Sequence, residues 1–221
     1  MRPIGRNRRQ RSDAARFTSS RSYTVAVTQD TVRDGRRARG DATRRRVARE
    51  AAMLATVGGL DSISVGGLAE RTGVSKSGIL TVFGNREAIQ VAAVAEARRI
   101  YRDTVITPVW HLPTGRDRLL GLLARWRDYV LSEVFPGGCF LATTSAEYGR
   151  REGAVADAVR RLEREWLDLL EAELLATGSR TPDDDAFRID AYLVAGVTRY
   201  QLYGDRADLD RGCRLALEVV D

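Results

Sequence analysis

Apolar residues recur along this chain at helical spacing, in runs separated by short polar or glycine-bearing breaks. Val47, Ala51 and Leu54 fall at i, i+4 and i+7 and predict a helix over 43–56, which Gly58-Gly59 ends. Ser64 precedes Val65, Leu68 and Ala69 and reads as the N-cap of a short helix that stops at Gly73. Ser75 is a second N-cap, and Val74, Ile79 and Phe83 give the next short helix its inward side. Asn85 caps a third helix with Arg86 and Glu87 in its first turn. Two short helices joined by a tight turn, with a third following at once, make a helix-turn-helix. Gly66 and Gly67 inside the first of them are unfavourable by about 1 kcal/mol each relative to alanine.

Downstream, Ile89, Ala93, Ala97 and Ile100 carry the third helix to just before Pro108, long enough to connect a DNA-binding head rigidly to a body. Leu119, Leu123, Trp126 and Val130 mark a helix over 115–134, broken by Phe135-Pro136-Gly137-Gly138. A short helix follows over 139–148. Val155, Val159, Leu162, Trp166 and Leu169 define a long one reaching about 176. Helices over 182–203 and 207–220 complete an all-α body. The first of these two is apolar on two sides, Ile189, Leu193, Val197 and Tyr200 on one and Phe187, Ala191, Val194 and Thr198 on the other. A helix apolar on two sides is buried on two sides, so one side calls for a partner.

Charge divides the chain differently. Lys76 is the only lysine among 36 basic residues, and residues 1–46 hold fourteen arginines against four aspartates, although the whole chain carries only +6. Basicity confined to one end fits an anionic partner there. Residues 1–41 have few large apolar side chains and read as a disordered Arg-rich arm, with YTVAV (residues 23–27) the one strand-like stretch. The expected division is therefore arm 1–41, head 42–88 and helical body 89–221. Two cysteines, Cys139 and Cys213, without metal-ligand spacing fit a reducing cytoplasm. No apolar run reaches membrane-spanning length.

GVSKSGILTVFGNREAI (residues 73–89) resembles the signature of TetR-type transcriptional regulators, and FPGGCFLATTSAEYG (residues 135–149) resembles a ligand-domain segment of one branch of that family. Leu80 and Val82 stand where the family usually has an aromatic residue and a histidine. The resemblance implies an N-terminal helix-turn-helix domain and a C-terminal ligand-binding and dimerisation domain, the last two helices pairing with their copies. It implies a homodimeric repressor that a small-molecule effector releases from a double-stranded DNA operator.

The expected DNA contacts are Arg44 and Arg45 at the start of the first helix, the cap Ser64, and Ser75, Lys76, Ser77, Gly78 and Thr81 on the outward face of the second short helix. Arg86 is expected on phosphate. The candidate effector site gathers Trp126, Tyr129, Cys139, Phe140 and Trp166 with the polar groups of Thr143, Thr144 and Glu147. Core packing accounts for each of these aromatics equally, and Cys139 is either a small buried apolar residue or a thiol sensor. Glu163 and Glu165 read as a solvated face. There is no catalytic constellation, metal-ligand spacing or cofactor loop, so an enzyme is not expected. The alternative is a helical small-molecule-binding or scaffolding protein without specific DNA binding.

Overall fold

The computed structural model describes residues 31–220, and every regular element among them is helical. In chain order these are α1 (Thr31–Gly58), α2 (Val65–Thr72), α3 (Lys76–Phe83), α4 (Arg86–Tyr101), α5 (Arg116–Leu131), α6 (Phe140–Tyr148), α7 (Ala154–Thr177), α8 (Pro182–Tyr203) and α9 (Arg206–Glu218). A 3-10 turn, Leu60–Ser62, separates α1 from α2, and a π-helical turn, Arg102–Ile106, prolongs α4.

The expected helices are present, with one large difference. α1 begins at Thr31, so residues 31–41, expected to lack structure, are helical; the rest of the expected arm, residues 1–30 with the YTVAV stretch, lies outside the described residues. Periodicity gave no signal because this first part of α1 is rich in arginine and poor in apolar residues. Arginine and alanine favour helix regardless of any apolar stripe.

In the head, α1 crosses α2 and α3, and Val47, Ala51, Leu60, Ile63, Leu68 and Ile79 close a core from which solvent is excluded. α4 leaves this core through Ile89 and continues into the body, where Ala93, Ala97 and Ile100 are buried. α7 packs on α4, α5 and α8, and α8 and α9 form the tightest pair. Their close approach depends on Gly196 and Gly212. A Cβ on Gly212 would lie 2.5 Å from the Tyr192 carbonyl oxygen and 3.0 Å from Gly196 Cα, both backbone atoms. Gly66 has no such explanation: a Cβ there would stand 3.6 Å from Lys76 Cε, an ordinary contact distance.

Candidate nucleic-acid interface and its joint to the body

Three side-chain caps in succession build the helix-turn-helix head. Ser64 Oγ accepts from Gly67 N (3.0 Å), Ser75 Oγ from Gly78 N (3.1 Å) and Asn85 Oδ1 from Ala88 N (2.8 Å). Buried Thr72 ends α2 by donating to Leu68 O (2.6 Å) and accepting from Val74 N (3.3 Å). Each cap satisfies an amide that the helix itself leaves unpaired. The hydroxyls of Ser64 and Ser75 accept here and keep their hydrogens to donate.

On α3, Lys76, Ser77, Leu80 and Thr81 are exposed, Gly78 and Val82 half-buried, and Ile79 and Phe83 buried. Five of the expected DNA contacts, Ser75, Lys76, Ser77, Gly78 and Thr81, are thus brought together at the start and along one side of α3, with Ser64 capping the neighbouring helix.

Two of the expected arginines make contacts within the chain. Arg86, expected on phosphate, donates from Nε to Ile63 O (2.7 Å) and from Nη2 to Asp61 O. It fixes the start of α4 to the turn before α2. Arg44 donates from Nη2 to Val82 O (2.9 Å) and lies 4.9 Å from the Phe83 ring centroid, so it ties α1 to the end of α3. Both are recruited by carbonyls that a helix end or turn leaves free, which local sequence does not reveal. Arg45 and Arg46 are exposed, and Arg46 Nη2 lies 3.8 Å from where a Cβ on Gly73 would stand, beside the α2–α3 turn.

In the body, Trp126, Tyr129, Cys139, Phe140, Thr144 and Trp166 are buried and Thr143 half-buried. Tyr101, absent from the sequence reading, lies edge-on to both Tyr129 (5.4 Å between centroids) and Trp166 (5.6 Å). Phe135 continues the chain of rings from Tyr129 (6.0 Å) to Phe140 (5.8 Å). The hydroxyls of Thr143 and Thr144 bond backward to Cys139 O (3.2 Å) and Phe140 O (2.9 Å) within α6. Burial pushes the Cys139 thiol up to about 11, which favours the small apolar role over the sensor. Trp110 is 45% exposed and packs under the Arg118 guanidinium, 4.5 Å from its ring centroid.

Two acids were misread or missed. Glu163, taken for a solvated residue, is half-buried and accepts from Ser145 Oγ (3.0 Å). Asp190 accepts from the Trp166 indole (3.1 Å), and burial, reinforced by the charge of Glu163, pushes its carboxyl up to about 6. Glu163 also lines an open groove of about 300 Å³ between α6 and α7, with Ser145, Tyr148, Val159, Arg160 and Arg164. None of the eight expected effector residues lines that groove.

Glu147 is not among the aromatics at all. Its carboxylate leaves the body and accepts from the amides of Leu60 (2.7 Å) and Asp61 (2.9 Å), capping the 3-10 turn that leads into α2. Gly59 makes room: its φ is +81°, and a Cβ there would stand 2.8 Å from the Glu147 carboxylate. Asp61 in turn accepts from Tyr148 Oη (3.0 Å) and pairs with Arg151, which holds its carboxyl below the usual range. Gln90 on α4 donates to Leu60 O (2.8 Å). A second contact joins Gly137 N to Thr56 Oγ1 (3.1 Å) at the end of α1.

Residues 115–216 match the family described as tetracyclin repressor-like, C-terminal domain. The whole fold is similar to solved structures of TetR-family regulators. One from Chloroflexus aurantiacus has a TM-score of 0.74 at 22% identity, covering 82% of this chain and 95% of that one. One from Agrobacterium tumefaciens has a TM-score of 0.72 at 18% identity, covering 82% and 98%. AibR, solved in complex with isovaleryl coenzyme A and operator DNA, has a TM-score of 0.63 at 16% identity, covering 80% and 98%. No curated protein matches the chain in sequence.

Proposed function

We propose that this chain is a TetR-family transcriptional regulator, a homodimeric repressor released from its operator by a small molecule. The observation that carries the reading is α3: capped, supported from behind by Ile79 and Phe83, and presenting Lys76, Ser77 and Thr81 outward at the size and position of a major-groove helix. Residues 42–88 serve as the head and 89–221 as the ligand-binding and dimerisation body.

Dimerisation is supported by the second apolar side of α8. Ile189, Leu193 and Val197 are buried, while Phe187 is 71% and Val194 38% exposed, with Leu202, Tyr203 and Leu217 exposed nearby. Such a continuous apolar surface on two adjacent helices fits an isologous four-helix contact. Effector binding is supported by the aromatic chain from Tyr101 to Phe140 beside Asp190 and Glu163. AibR shows that this fold accommodates an acyl thioester together with operator DNA.

α6 provides the coupling. Its first turn carries Phe140 in the aromatic chain, and its last turn carries Glu147 and Tyr148 on the turn before α2. A ligand that displaces α6 therefore removes caps from the head, and α4 gives a second, continuous route. The test is a gel shift with DNA flanking the protein's own gene. A specific complex protecting two half-sites about one helical turn apart supports the reading. Failure to bind any such DNA at low salt favours the helical ligand-binding or scaffolding alternative.

A further inference from the structure

The recognition helix has an unusual outward face for reading DNA. α3 contains no arginine, asparagine or glutamine, and Lys76 is its one side chain of a type that pairs bidentately with guanine or adenine edges. At about 100° per residue, its exposed residues run around the helix in the order Lys76, Leu80, Ser77, Thr81. Leu80, 42% exposed, therefore lies inside the arc that Lys76 and Thr81 bound.

The polar groups on this arc are partly committed. Thr81 Oγ1 donates to Ser77 O at 2.8 Å, so its remaining reach is largely that of a methyl group. Ser77 Oγ lies 3.2 Å from Ser75 Oγ, which itself caps Gly78. Lys76 stands at the edge of the arc and extends toward Gly66 on α2. Leu80 is the one large apolar side chain on this arc.

We propose that α3 reads its site through the C5-methyl groups of thymine, with Leu80 as the residue that sets this preference. The thymine methyl is the apolar group displayed in the major groove; at the same C5 position cytosine carries only a hydrogen, beside its polar N4 amine. A leucine that reaches a thymine excludes water from both surfaces. Opposite a G·C pair it buries polar edges without satisfying them. The inference rests on the reading of the protein as a DNA-binding regulator and adds what the helix selects.

The experiment uses the full-length protein and a random duplex library, from which bound sequences are selected and aligned. The best sequence is then remade with deoxyuridine in place of thymine at one position at a time, which removes the methyl and keeps every hydrogen-bonding group. Wild-type protein is expected to lose about 4-fold in affinity at one or two positions per half-site, the amount set by one buried methyl. Substitution at the other thymines should be silent. Leu80→Ala should bind thymine and uracil duplexes equally at those positions. Leu80 is exposed and alanine favours helix, so the variant keeps the fold; the deoxyuridine series on wild-type protein in any case needs no variant. Enriched sequences indifferent to deoxyuridine everywhere, or a Leu80→Ala protein that still distinguishes the two bases, would overturn the proposal while leaving the regulator intact. Selection without any enriched sequence would overturn both.

Discussion

The reading head and its joint to the body are both held by capped helix ends, yet the caps come from opposite distances. Within the head, Ser64, Ser75 and Asn85 each bond an amide three residues on. At the joint, Glu147 reaches Leu60, Gly137 reaches Thr56 and Arg151 reaches Asp61, contacts that span 81 to 90 residues. Local caps form wherever the helix forms and are insensitive to the rest of the molecule. Distant caps exist only while the body holds its shape. The head is thus built to stay the same and the joint to respond, as the proposed release by a body-bound effector requires.

The largest expected effect leaves both regions folded and separates structure from binding. Val194→Arg puts a charge on the exposed apolar side of α8, where the monomer has no core to lose. The protein should sediment as a folded monomer, and its affinity for a two-half-site duplex should fall by 100-fold or more, on the order expected when the second half-site is no longer tethered. A dimer of unchanged affinity would remove α8 from the interface.

Next is the joint's backbone. Gly59 has φ +81° and ψ 163°, a conformation that costs other residues about 1–3 kcal/mol. Gly59→Ala also displaces the Glu147 carboxylate, which leaves two amides uncapped at about 1 kcal/mol or more. A loss of about 3 kcal/mol in denaturant unfolding is expected. Ser62→Ala nearby should be almost silent by comparison, since the Ser62 hydroxyl is exposed and bonds only back to Gly59 O.

Two acids, Asp190 in the body and Asp61 at the joint, titrate with opposite sign. Asp190 has its carboxyl raised to about 6, so between roughly pH 4 and 6 the folded protein binds more protons than the unfolded chain. Stability should fall as pH rises through that window, by about 2–3 kcal/mol for a shift of this size. Asp190→Asn should flatten the slope. Asp61 is held low by Arg151, so its contribution is present above its unfolded pKa and is lost as pH falls through the lower folded value. A pH series of unfolding curves on wild type and Asp190→Asn separates the two acids.

The same contrast explains what could be read from the residues alone. The helix-turn-helix was legible because Ser64, Gly73, Ser75 and Asn85 announce their helix ends within one turn of chain. The helix over 182–203 was legible to its last residue because Pro182 starts it and two apolar sides sustain it. Glu147 looked like a polar residue near aromatics, and nothing within a turn of it indicates Leu60. Glu163 sits on a charged stretch of α7 and looked solvated; only the packing of α6 against α7 gives it Ser145. Arg44 and Arg86 looked like free cations for the same reason, since their carbonyl partners lie 38 and 23–25 residues away.

A smaller effect tests the local cap. Ser75→Ala should cost about 1 kcal/mol, the usual value for an N-cap. The loss should be confined: amide exchange should quicken in the first turn of α3 and stay unchanged at Leu60 and Asp61. Quickening at the joint as well would mean that the two regions are not independent.

The smallest expected change in stability carries the most information about signalling. Glu147→Gln keeps the size of the side chain and one good acceptor oxygen, so one of the two amides of the 3-10 turn stays bonded and the other loses its charged partner. A cost of about 1 kcal/mol or less follows from replacing a charge-assisted bond by a neutral one. The three tryptophans, Trp110, Trp126 and Trp166, all lie in the body, so their fluorescence reports the body even when only the head is touched. Coupling between two sites is reciprocal. If DNA on the head is felt in the body through Glu147, titrating wild-type protein with its selected duplex should change tryptophan emission, and the same titration of Glu147→Gln should show a reduced change at nearly unchanged stability. An equal change in both proteins would assign the coupling to α4, which runs from head to body without a break and needs no carboxylate to carry a displacement.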